Sequence, residues 1–167
     1  DAEWLRAFDA VVPPVLRAFK PQVLVTQHGC DTHALDPLAH LLMSVDGQRT
    51  AYAALHALAH ELCGGKWVVL GGGGYEPVQV VPRAWTHLLA EVTGAQVDGA
   101  TPNDWRDLAS ERGGEFAPTG LSDGKSVSFT PWEGGSGDPT DGVDRAVAET
   151  RANVFPLLGL DPLVAEG

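Results

Sequence analysis

The sequence predicts an α/β fold built on a parallel sheet. Two short runs rich in β-branched and apolar residues, 22–27 and 66–70, are typical of buried strands. Apolar residues recur at helical spacing before, between and after these runs, in 3–19, 47–63 and 78–92. Strands that are apolar on both faces belong to parallel sheets covered by helices on both sides. We therefore expect the order helix, strand, helix, strand, helix.

Proline and glycine set the expected limits of these helices. Pro13 and Pro14 lie within the first apolar stripe and are expected to break the helix or restart it. The third helix is expected to begin near Pro77 and to end at Gly94.

The second part of the chain has a different composition, so we divide the chain into residues 1–95 and 96–167. Residues 95–142 are rich in glycine and proline and favour an extended excursion. Scattered aromatic residues are expected to pin it: Trp105, Phe116, Phe129 and Trp132. Residues 143–158 favour one last helix.

Composition excludes several classes of protein. The net charge of −11 over 167 residues argues against nucleic-acid binding, which needs Lys and Arg to neutralise phosphates. The acidic surface would attract cationic substrates, although a solvated acidic tail is the simpler explanation. No stretch approaches 18 apolar residues, so we expect no membrane span. Two cysteines without a C-x-x-C pair favour the cytoplasm.

The two strands should bring two loops together. The carboxyl ends of parallel strands share one sheet edge, where open α/β sheets bind ligands. The segment HGCDTH follows the first strand and GGGGY follows the second. Four side chains are therefore candidates for one shared site: His28, Asp31, His33 and Tyr75.

The glycine loop fits neither common phosphate motif. It lacks the Gly-Lys-Ser/Thr ending of a P-loop, and Glu76 stands where a dinucleotide fingerprint needs glycine. Tyr75 has two interpretations. Its hydroxyl could donate a hydrogen bond to a developing oxyanion, or it could be a packing residue that follows a tight turn. Asp31 is a hard oxygen donor that suits a divalent metal or a cap. Asp36, before a proline, favours a structural Asx-turn.

A further pair of histidines, His56 and His60, has metal-ligand spacing on the second helix. This helix lacks the glutamate of H-E-x-x-H, and the pair is remote from the strand ends, so we expect surface histidines.

Two segments together resemble the C-terminal half of the zinc-dependent histone deacetylase superfamily, in particular its bacterial acetoin-utilisation branch. They are PQVLVTQHGCDTHALDPLAHLLMSVDG and VVLGGGGYEPVQVVPRAWTHL. The first contains the family's Q-x-G-x-D, whose aspartate is Asp31, and the second its L-G-G-G-G-Y, whose tyrosine is Tyr75. The resemblance covers about residues 1–95 and implies part of a three-layer arginase/deacetylase-like fold.

The resemblance implies hydrolysis of an acetyl amide with Zn²⁺ as cofactor. Asp31 would be a zinc ligand and Tyr75 would polarise the acetyl carbonyl. Gly72, Gly73 and Gly74 would line the substrate channel. His28 would lie behind the site as a packing or supporting residue, and His33 at the rim of the pocket.

The family places its other zinc ligands and its catalytic His-His pair upstream of this region. We therefore expect this chain to be a C-terminal piece that is inactive alone, whose partner is the N-terminal half and whose sheet has an unpaired edge. The expected substrate is an acetylated lysine. One alternative is a deacetylase of acetylated polyamines or other small amines, and another is a non-catalytic module that binds an anion at the glycine loop.

Overall fold

The computed structural model describes residues 1–97, 99–113 and 117–165. Within them the chain forms five α-helices, two strands and a short 3₁₀ helix. Their order is α1 (Ala2–Phe19), β1 (Leu24–Gln27), α2 (Val45–Cys63), β2 (Trp67–Leu70), α3 (Val81–Thr93), α4 (Asn103–Gly113), α5 (Gly142–Val154) and the 3₁₀ helix (Phe155–Leu158). The α/β class and the predicted order of the first five elements are confirmed.

The two strands are parallel neighbours, in register from Leu24 opposite Trp67 to Gln27 opposite Leu70. One face of the sheet is covered, since Leu24 packs with Ala59 and Cys63 of α2. The other face is open, because Val25, Val68 and Leu70 are 60%, 46% and 50% exposed.

The prediction that both faces are buried is therefore wrong for the described part of the chain. In that part β1 and β2 pair only with each other, which agrees with the predicted unpaired edge.

Helix α1 continues through Pro13 and Pro14, so the predicted break is wrong. Proline at position 14 removes the backbone donor that would bond the carbonyl of Ala10. The guanidinium of Arg151 on α5 donates to that carbonyl instead. A buried cation thus satisfies the acceptor that the proline leaves, and α1 stays one helix.

Helix α3 begins four residues after Pro77, because residues 77–80 form a turn and Pro82 lies in the first turn of the helix. Gly94 ends α3 as predicted, with a φ of 69° in the left-handed region that favours glycine.

The C-terminal part packs on α1. Trp132 is buried with Ala10 and Val147, so this aromatic does pin the Gly/Pro-rich stretch as predicted. That stretch also contains α4, which the sequence analysis missed, while Phe116 lies outside the described residues. The predicted last helix is confirmed as α5 and the 3₁₀ helix. The domain boundary near residue 95 stays a prediction.

None of the helices in the described ranges combines the length and apolar character that a membrane crossing requires.

Candidate active-site loops

The loop after β1 and the loop after β2 are joined by backbone hydrogen bonds. The amide of His28 donates to the carbonyl of Leu70 at 2.8 Å, and the amide of Cys30 donates to the carbonyl of Gly73 at 2.7 Å. The indole of Trp85 on α3 adds a bond to the carbonyl of His28 at 3.0 Å. The predicted convergence of the two loops is therefore present in the structure.

The four glycines leave space that the first loop fills. A Cβ on Gly73 would lie 2.7 Å from the carboxyl carbon of Asp31, and one on Gly74 would lie 2.5 Å from the sulfur of Cys30. A Cβ on Gly72 would overlap the side-chain amide of Gln27, and one on Gly71 would lie 3.3 Å from the ring of Trp85. Close contacts within the protein therefore favour glycine at these positions. The substrate-channel role of Gly72, Gly73 and Gly74 stays a prediction.

Asp31 lies at the interface of the two loops. Its carboxylate faces Gly73, which is two residues before Tyr75 along the chain. Asp31 also lines a cavity of about 190 Å³ with Gln27, His28 and Gln48 among its walls. Gln48 is 3% exposed, and the Oε1 atom of its side-chain amide has no hydrogen-bond partner in the described residues.

The side chain of Tyr75 is 52% exposed, while its backbone is fixed. Its amide donates to the carboxylate of Asp36 at 2.9 Å, and that carboxylate also accepts the amides of Leu38 and Ala39. Burial opposes the charged form of Asp36, but these N–H donors lower its pKa below the usual value. The prediction of a structural Asx-turn at Asp36 is confirmed, and this turn anchors the second loop.

His28 is buried and has structural partners. Its Nε2 lies 2.6 Å from the hydroxyl of Thr26, and its ring packs edge-on to Tyr52 and Trp67. Burial lowers its pKa, which favours the neutral ring. These contacts fit the predicted packing role.

His33 is 3% exposed and faces away from solvent. Its Nε2 lies 2.9 Å from the carboxylate of Asp123, which also accepts Nη1 of Arg83 at 2.7 Å. The ring of His33 is thus held inside the protein by Asp123, and both its supporting role and its rim position stay predictions.

Sequence reasoning missed Asp123 and gave Arg83 no role in the site. Asp123 lies between Ser122 and Gly124 in the Gly/Pro-rich part, where an aspartate usually marks a turn. It is 90 residues from His33 and 40 from Arg83 along the chain, so no spacing motif could connect them.

The pair His56 and His60 lies on α2 with ring nitrogens 3.1 Å apart. His56 also contacts Glu91 of α3 at 2.8 Å and stacks on Trp67 at the start of β2. The pair therefore helps to join α2 to α3 at the end of the sheet opposite the loops, as its predicted remote position implies.

The donors among the described residues do not make a complete zinc site. In the described ranges no group of three His, Cys, Asp or Glu side chains is placed to hold a metal ion. Catalytic zinc needs three protein ligands and an open position, and Asp31 offers one carboxylate.

The parallel strands, the interlocked loops and their Q-x-G-x-D and L-G-G-G-G-Y sequences define a deacetylase-type α/β domain. Residues 1–92 match the Histone deacetylase domain family, more than half of the chain, and the chain belongs to that family. The predicted resemblance is confirmed.

Two curated relatives are similar in sequence to this chain. It is 38% identical over 105 residues to the acetoin utilization protein AcuC of Bacillus subtilis, which is 63% of this chain and 27% of that protein. It is 35% identical over 126 residues to AcuC of Staphylococcus xylosus, covering 75% of this chain and 33% of that protein. The chain thus spans about a third or less of the length of these relatives.

Two solved structures are similar in fold to this chain. A crystal structure of an HDAC homolog complexed with SAHA matches with a TM-score of 0.63 and 25% identity, covering 77% of this chain and 36% of that one. An HDAC homolog from Aquifex aeolicus matches with a TM-score of 0.57 and 25% identity, covering 75% and 36%. These likenesses confirm the fold class.

Proposed function

We propose that this chain supplies two residues, Asp31 and Tyr75, to the active site of a zinc-dependent deacetylase. The single observation that supports this most is the interlocking of their loops. The carboxylate of Asp31 occupies the space that the missing side chain of Gly73 leaves, and the amide of Cys30 bonds the carbonyl of Gly73.

The two residues have different roles in this proposal. Asp31 is one oxygen ligand of the zinc, and the other ligands come from the part of the deacetylase that lies outside this chain. Zinc, when bound, supplies an activated water and polarises the acetyl carbonyl. Tyr75 donates its hydroxyl proton in a hydrogen bond to the acetyl oxygen as negative charge develops there. On this account the chain alone does not turn over substrate.

The substrate class is an acetylated lysine or another acetylated amine. Family membership supports this proposal, and so does the homolog crystallised with SAHA. Acetylated polyamines are a second candidate, favoured by the net charge of −11, since a negative surface raises the local concentration of cationic substrates. The buried free thiols of Cys30 and Cys63 support a cytoplasmic location.

The test is acetate release from an acetyl-lysine peptide and from acetylspermidine by the complete gene product. Tyr75→Phe and Asp31→Asn are each expected to lower kcat roughly 100-fold or more, because each removes a group that acts on the reacting centre. Asp107→Asn, at an exposed carboxylate of α4, is the control for Asp31→Asn.

This control variant is expected to keep wild-type kcat. Acetate release that survives both Asp31→Asn and Tyr75→Phe would contradict the proposal. So would acetate release that zinc removal leaves unchanged.

A further inference from the structure

The carboxylate of Asp123 connects three elements that are distant in the sequence. One oxygen accepts Nε2–H of His33, in the loop after β1, and the backbone amide of Val45, at the start of α2. The other oxygen accepts Nη1 of Arg83 on α3 at 2.7 Å. Asp123 therefore ties the first active-site loop to the two helices that follow the strands.

The contact between Arg83 and Asp123 is ionic and largely shielded from water. The side chain of Arg83 is 5% exposed and that of Asp123 is 19% exposed. Burial disfavours the charged carboxylate, but the bonds from His33, Val45 and Arg83 outweigh it and hold the pKa of Asp123 well below its usual value. Charge-assisted hydrogen bonds of this kind fix orientation more strongly than neutral ones.

The ring of His33 has one defined orientation. Its Nδ1 accepts the backbone amide of Leu35 at 3.1 Å, so Nε2 holds the proton that is donated to Asp123. Both ring nitrogens are thus used within the protein.

His33 is in turn connected to both predicted site residues. Its amide donates to the carbonyl of Cys30, next to Asp31, at 3.1 Å. Its carbonyl accepts the amide of Asp36 at 3.0 Å, and the carboxylate of Asp36 accepts the amide of Tyr75. A displacement of His33 would therefore reach both loops.

The segment 121–125 has further anchors that do not involve this carboxylate. Asp46 of α2 accepts the hydroxyl of Ser122 and the amides of Asp123 and Lys125. The carbonyl of Leu121 lies 2.9 Å from Nε2 of His87 on α3. Removing the carboxylate alone should leave the segment in place.

We propose that Asp123 is a positioning residue of the deacetylase site, acting through His33 to hold the Asp31 and Tyr75 loops in register. The inference rests on the proposed function. It gives a role to the segment 121–125, which lies beyond the residues 1–92 that match the family.

The test uses Asp123→Asn in the complete protein, because asparagine keeps the shape and removes the charge. Amide hydrogen exchange is the first readout and needs no turnover. Exchange of the amides of Tyr75, His33 and Asp36 is expected to rise roughly tenfold, since these bonds depend on the fixed ring of His33. The second readout is acetate release, with kcat expected to fall roughly tenfold and KM unchanged.

Two comparisons separate positioning from general loss of stability. Val147→Ala removes methyl groups from the distant cluster between α1 and α5, and is expected to lower the melting temperature without changing kcat or exchange in the two loops. The pair Asp123→Asn and His33→Gln is expected to be non-additive, with the double variant no slower than the slower single variant.

Wild-type exchange of the two loops in Asp123→Asn would overturn the positioning role. So would equal kcat losses in Asp123→Asn and Val147→Ala. A wild-type protein that releases no acetate would overturn the proposed function instead. Hydrogen exchange would in that case still test whether Asp123 holds the two loops.

Discussion

Replacing Gly73 by alanine is expected to displace the carboxylate of Asp31 while leaving the rest of the fold in place. The added Cβ would lie 2.7 Å from the carboxyl carbon of Asp31. Carbon atoms in favourable contact are about 3.5–4.0 Å apart, so the carboxyl group must move by roughly 0.8 Å or more. A misplacement of about 1 Å in an active site can cost roughly 100-fold in rate.

The cost in stability should be smaller than the cost in activity. Overpacking by one methyl group typically destabilises a protein by about 1–3 kcal/mol, and here the neighbour is the end of a side chain that can rotate. The expected result for the complete protein is a loss of roughly 100-fold in kcat with a modest drop in melting temperature. Acetate release and thermal unfolding measure the two effects side by side.

Gly142→Ala is the matched control. At Gly142, in the first turn of α5, the nearest atom to an added Cβ is 3.9 Å away, so both activity and folding should be unaffected. A Gly73→Ala enzyme with wild-type kcat would refute the reasoning, because Asp31 would then tolerate displacement and could not be a reacting-centre ligand.

Three other predictions concern the fold. Arg151→Met removes a buried donor to the carbonyl of Ala10, and should cost about 3 kcal/mol or more in urea unfolding; a loss below about 1 kcal/mol would contradict its role in α1. Ser44→Ala removes the side-chain cap on the amide of Gly47 and should cost about 1 kcal/mol by the same assay, whereas an unchanged midpoint would argue against the cap. Burial lowers the pKa of His87 in the folded protein, so the stabilising effect of the neutral ring should be complete above about pH 6.5 and be lost as the pH falls through the folded pKa. The free energy of unfolding, measured at several pH values, should therefore fall less steeply with acidification in His87→Gln than in the wild type. Equal slopes in the two proteins would contradict this.

The parts of the fold that the sequence predicted depend on local patterns. The apolar periodicity of residues 47–63 and the β-branched run at 66–70 required no knowledge of distant contacts. Convergence of Asp31 and the glycine loop followed from the rule that parallel strands share one edge.

The errors came from contacts between distant residues. Arg151, more than 130 residues after Pro14, bonds the carbonyl of Ala10 that this proline frees. Asp123 was missed for the same reason, since its partners lie at 33, 45 and 83. Burial of both sheet faces was overestimated, because an apolar strand does not show whether a second layer covers it.

Zinc-edge anomalous diffraction from crystals of the complete protein tests the central claim most directly. The account predicts an anomalous peak about 2.1 Å from a carboxylate oxygen of Asp31, with the hydroxyl of Tyr75 facing the same pocket. A zinc peak bound elsewhere, with Asp31 and Tyr75 pointing into separate pockets, would contradict it.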